Sequence, residues 1–134
     1  MTLTEQHIEE IAELLDCGML CFFHIPTGTI ESHPDSEDLY LDPEPWKELI
    51  EKLESDWGNY MRFEKMDSRE GFTVMENFAY SMTDSKFREK LLDQLSKRKP
   101  FQNFKYAIDT SQYRQDWFDF KKEAYIDFVK GQIM

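Results

Sequence analysis

Apolar residues recur along this chain with two periods, and the switches between them mark out the elements. Ile8, Ile11, Ala12, Leu14 and Leu15 follow helical spacing, with Thr4 placed to cap the helix and His7 at the capping-box position usually held by Glu. Gly18 is a stop. Met19 to Ile25 is an apolar, aromatic run too short for a capped helix, so it predicts a strand. Pro26-Thr27-Gly28-Thr29 has turn chemistry, and Ile30 to His33 predicts the returning strand of a hairpin. A two-residue Thr27-Gly28 loop would set Ile25 opposite Ile30 and His24 opposite Glu31, with His33 on the same face as His24. Pro34 to Pro45 is polar, acidic and proline-rich, which predicts a loop.

Trp46, Leu49, Ile50 and Leu53 return to helical spacing, with Glu48 and Lys52 as an i,i+4 pair, and Asp56-Trp57-Gly58 closes the helix. Asn59 to Lys65 alternates as a third strand, Met61 and Phe63 sharing a face. Everything after it predicts helix. Asp67 and Glu70 have capping-box spacing, and Phe72, Met75, Phe78, Ala79 and Met82 form a stripe. Phe87, Leu91, Leu92 and Leu95 form a second. Pro100 suits the first position of a short helix carrying Phe101, Phe104, Ala107 and Ile108. Tyr113, Trp117, Phe120, Ala124 and Phe128 mark a long last helix. The order implies an α+β fold: a small antiparallel sheet, hairpin plus one strand, covered by a mainly helical C-terminal half. Three strands cannot stand alone, so helical stripes must supply most of the core, and the Phe72/Met75/Phe78 stripe is expected on the hairpin and the last helix.

Size and composition fit this picture. A chain of 134 residues, 40% hydrophobic and 15% aromatic, is expected to form a single domain over residues 1–134. No apolar run approaches the roughly 20 residues that span a bilayer, and the first residues lack the pattern of a signal peptide, so a cytoplasmic location is expected. Cys17 and Cys21 are spaced wrongly for a redox or zinc motif and are expected as buried free thiols.

Net charge is −11, which argues against extended nucleic-acid binding. Up to Trp57 two bases face fifteen acids, a net of −13; from Gly58 onward fourteen bases face twelve acids, a net of +2. Such asymmetry could serve complementarity within the fold or between subunits, leaving room for a homo-oligomer, or could simply keep the surface solvated.

Several segments carry a resemblance. Cys21-Phe22-Phe23 precedes Thr27-Gly28; Ser68-Arg69-Glu70-Gly71-Phe72 leads to Met75-Glu76-Asn77-Phe78; Arg98, Phe101, Phe104-Lys105, Trp117 and Phe120 follow. In these the chain resembles the uncharacterised protein family 0158 of bacteria, most specifically over Asp67 to Phe120. The family has no assigned function, so the resemblance implies a fold and little chemistry. One departure stands out. The glycines that flank the arginine in the family pattern are Lys97 and Lys99 here, and Pro100 replaces alanine. If those glycines serve a positive φ or a close backbone approach, lysine is a poor substitute.

The basic cluster Lys97-Arg98-Lys99, with Lys105 beyond it, is the leading site candidate. It lies between one helix C-terminus and the next N-terminus, where cations and free N–H groups together attract phosphate or carboxylate. Cations there equally offset the preceding helix dipole. Arg69, in the first turn of its helix, needs an acidic partner or a ligand. His24, His33 and Glu31 could be imagined around zinc, although cross-strand pairing explains them as well, and no metal or cofactor is expected. Glu9-Glu10 and Asp116 with Asp119 are acid pairs without a recognisable catalytic setting, and no phosphate loop or nucleophile motif occurs. The expectation is a non-enzymatic interaction or regulatory domain with a protein partner. The alternative is a domain that takes a small phosphorylated ligand or a nucleic-acid end through Lys97, Arg98, Lys99 and Lys105.

Overall fold

The computed structural model describes residues 2–35 and 44–133. Six α-helices and three strands are described: α1 Glu5–Asp16, β1 Met19–His24, β2 Ile30–Pro34, α2 Lys47–Ser55, β3 Tyr60–Phe63, α3 Ser68–Ser81, α4 Ser85–Leu95, α5 Pro100–Asp109 and α6 Arg114–Ile133. Most of the expected acidic loop falls outside the described residues. The chain divides into two compact units, Met1–Lys65 with Tyr125–Met134, and Met66–Ala124. The buried residues form separate clusters within the two units.

The first unit is built on the antiparallel sheet β2-β1-β3. β1 is apolar from Met19 to Phe23 because both its faces are covered. Cys21 and Phe23 join Phe63 against Ile8, Ile11, Ala12 and Leu15 of α1 and Ile126 and Val129 of α6. Leu20 and Phe22 pack on Leu53 of α2. α1 starts as its residues dictate: Thr4 Oγ1 accepts from the His7 N–H, and His7 Nδ1 accepts from the Thr4 N–H. Gly18, at φ 88°, makes the turn into β1.

The hairpin register differs from expectation by two residues. Phe23 lies opposite Ile30 and Phe22 opposite Glu31. Ile25 is taken by the other neighbour, its N–H bonded to Asn59 O at 2.8 Å, and the loop widens to close through His24 N–H on Thr29 O. A two-residue slip preserves the faces, so His24 and His33 still share one. They do not converge: His33 lies opposite Leu20 and stacks on Phe22, while His24 donates from Nε2 to Asp56 Oδ2 at 2.8 Å. Among the described residues no three metal-ligating side chains gather. Lys52 reaches Glu31 Oε1 on β2 at 2.9 Å instead of serving only its own helix. Of the two thiols Cys21 is buried, but Cys17, at the end of α1, is exposed.

The second unit is helical. Phe78 meets Phe104, Trp117 and Phe120 edge-on, with ring centroids at 6.5, 5.3 and 5.3 Å. Met75, Ala79, Leu91, Leu95, Ala107 and Ile108 complete this core. The α3 stripe thus packs on the last helix as expected. The buried cluster it belongs to contains no hairpin residue, since the hairpin's apolar faces are occupied by α1, α2 and the end of α6. No described helix is long and apolar enough to cross a membrane.

Candidate functional site

The basic cluster sits in the turn between α4 and α5. Asp84 starts α4 by accepting the Phe87 N–H, and Ser96 ends it with its own N–H on Leu92 O. The chain must then reverse within Lys97, Arg98 and Lys99 before Pro100 opens α5. It does so by placing Lys99 at φ 59°, ψ 57°, a left-handed conformation with a non-glycine residue. The positive φ that glycine would supply is therefore present, and lysine adopts it. Asn103 holds the turn from below: its Nδ2 donates to Arg98 O at 2.9 Å and its N–H to Lys99 O at 3.2 Å.

α5 buries Phe104, Ala107 and Ile108 and turns Phe101, Gln102, Lys105 and Tyr106 outward. Spacing places Phe101 on the core stripe; in the structure it is 44% exposed, while Tyr106 is 72% exposed. Phe101 stands in the first turn, where the core ends. Its ring edge lies over Gly71: a Cβ there would sit 3.5 Å from Phe101 Cε1. That contact sets the first turn of α3 beside the first turn of α5.

The predicted cations have different fates. Lys97 Nζ lies 3.4 Å from Asp93 Oδ2, one turn back on α4. Arg98, Lys99 and Lys105 are exposed and have no ion pair among the described residues. Arg69 is also exposed, and no acid pairs with it among the described residues; the dipole of α3 is answered by the Asp67–Glu70 capping box, in which both reciprocal bonds form. Lys97, Arg98 and Lys99 lie in the turn before α5 and Lys105 in its middle, and the Gly71–Phe101 contact brings in the turn that carries Arg69.

Phe101 and Tyr106 were not among the residues expected to matter. Their rings differ from Phe118 on α6, which has the Arg114 guanidinium 4.8 Å from its centroid and Lys121 Nζ at 5.7 Å. Phe101 and Tyr106 have neither ring nor cation partner among the described residues. The solvent side of α5 and the turn before it thus carry two exposed rings, about 140° apart around the helix, and three cations with no ion pair among the described residues. Charge agrees with the division into units: the first holds seventeen acids and five bases, a net of −12, and the second ten acids and eleven bases, a net of +1.

Residues 32–131 match the model of the uncharacterised protein family UPF0158. The chain belongs to this family. No curated protein and no solved structure matches it at a significant level. The UPF0158 match runs from β2 to the last turns of α6 and so includes the whole α4–α5 turn and both exposed rings.

Proposed function

We propose that this UPF0158 protein is a non-enzymatic cytoplasmic interaction or regulatory domain and that it meets its partner with the exposed face of α5. The supporting observation is the pair of exposed rings, Phe101 and Tyr106, set among Arg98, Lys99 and Lys105, which no carboxylate among the described residues neutralises. Rings and guanidinium groups are the side chains that dominate binding at interfaces. Leaving them unpartnered on a molecule of net charge −11 concentrates attraction for an anionic surface at one place. Cross-linking in the native cell, followed by mass spectrometry of proteins and nucleic acids, tests the reading. A partner captured by the parent chain should be lost with a Tyr106→Ala, Arg98→Ala double variant of unchanged melting temperature. Equal capture by both would remove α5 from the contact.

A second reading has its own support. Lys99 makes no side-chain cap, so, Pro100 having no N–H, the Phe101 and Gln102 N–H groups at the start of α5 carry no capping side chain. A phosphorylated small molecule or a nucleic-acid end matches that arrangement. Isothermal titration with inorganic phosphate and a nucleotide panel separates it from the protein-partner reading.

A further inference from the structure

We infer that the α5 face takes a short single-stranded nucleic-acid segment, its phosphates held by Arg98, Lys99 and Lys105 and its bases stacked on Phe101 and Tyr106. The inference rests on the reading of α5 as the contact surface and names the class of partner. An acidic polypeptide would neutralise the three cations equally well. It would meet the two rings only where its own sequence happened to place a ring or an apolar side chain, whereas every base of a single strand brings a π-face to an exposed ring. Cation and ring alternate along the sequence here: Lys99, Phe101, Lys105, Tyr106. Lys105 lies one helical turn after Phe101 on the same stripe of α5, and Tyr106 lies about 100° further round the helix.

The same residues limit the length of strand. α5 has ten residues, about 15 Å of helix, and the three cations lie between positions 98 and 105. The net charge of −11 opposes every phosphate beyond those the three cations neutralise. The footprint is therefore expected to be shorter than the roughly 4–16 nucleotides of an OB-fold site. Duplex is disfavoured because its bases present no free face to a ring.

Fluorescence anisotropy with labelled octanucleotides of uridine and of thymidine, each with and without a 5′-phosphate, tests this directly. A duplex of the same length and an oligo-glutamate peptide of the same charge serve as competitors. The expected result is binding of the single strands in preference to duplex and peptide, with a slope of log affinity against log salt of about −2, as three phosphate contacts require. Phe101→Ala and Tyr106→Ala should each weaken the oligonucleotide about tenfold, the lower part of the range for a lost stacking contact, without changing the weak peptide binding; Tyr106→Ala should leave the melting temperature in place, while Phe101→Ala also loses its contact with Gly71. Arg98→Ala and Lys105→Ala should each make the salt slope shallower by about 0.7. Equal affinity for oligo-glutamate, untouched by Phe101→Ala, would overturn the nucleic-acid assignment while leaving α5 as a surface for acidic proteins. Binding to neither anion would also overturn it; the cross-linking comparison then decides separately whether α5 is a contact surface.

Discussion

Tyr113 donates its phenolic O–H to Asp84 Oδ2 at 2.8 Å, across 29 positions of sequence. The other oxygen of the same carboxylate caps α4 through the Phe87 N–H at 3.1 Å. One carboxylate thus fixes the start of α4 and the chain just before α6. First the Tyr113 hydroxyl and then the Phe87 N–H hold the Asp84 carboxyl below its ordinary value of 3.8.

A group whose pKa falls on folding contributes stability that is complete above its unfolded value and is lost as pH drops through the folded one. Tyr113→Phe should therefore lower the melting temperature at neutral pH, and the gap from the parent protein should close as the pH falls below about 3.8. Thermal melts at pH 7, 5 and 3 read the effect. The ring contact with Phe87, centroids 4.7 Å apart, survives this substitution, so a gap that persists undiminished at pH 3 would show that the Asp84 charge carries none of the effect.

Phe78 is 3% exposed and touches three other rings. Phe78→Ala should cost about 3–5 kcal/mol in urea melts, the range for a buried phenylalanine with a residual cavity. A loss under about 1 kcal/mol would mean that the ring cluster can close over the gap.

Lys99 holds a backbone conformation that costs an L-residue about 1–2 kcal/mol. Lys99→Gly removes that cost and adds some chain freedom to the unfolded state, so a net gain of about 0.5–1 kcal/mol is expected. Lys99→Ala should bring no such gain. Equal melting of the two variants would show that the turn carries no strain.

The thiols should separate cleanly. Burial, reinforced by the Glu10 carboxylate, pushes the Cys21 thiol up to about 12, and Cys17 is exposed. A thiol-reactive dye at pH 8 should label one equivalent in the first phase and the second only on unfolding. Cys17→Ser should abolish the fast phase. Two fast equivalents would place Cys21 at the surface.

What could be read in advance was local. Thr4 with His7 and Asp67 with Glu70 are each decided by four consecutive residues, and both capping boxes form. The hairpin register was not local. It depended on Asn59, thirty-four positions beyond Ile25, competing for that residue's N–H. Ile126 and Val129 were also missed. They stand nine positions after Trp117 and Phe120, about half a turn around the helix, and a search for one apolar stripe passes over a helix with two. Of the site, the cations were evident from composition. The exposure of Phe101 was not, because its spacing from Phe104 is that of a core residue.

The division of α6 between two cores has a further meaning for the growing chain. Met66–Ala124 has all its partners by the time Phe120 has left the ribosome, so the helical unit can close first. The sheet unit waits: α1 and all three strands precede the helical unit in the chain, yet Ile126 and Val129, which share a core with Phe23 and Phe63, follow it. Until they dock, Phe23 and Phe63 lack part of their cover. The sheet core must therefore join segments more than sixty positions apart, while the helical core closes from neighbouring helices. Loop closure makes the sheet core the slower of the two to form.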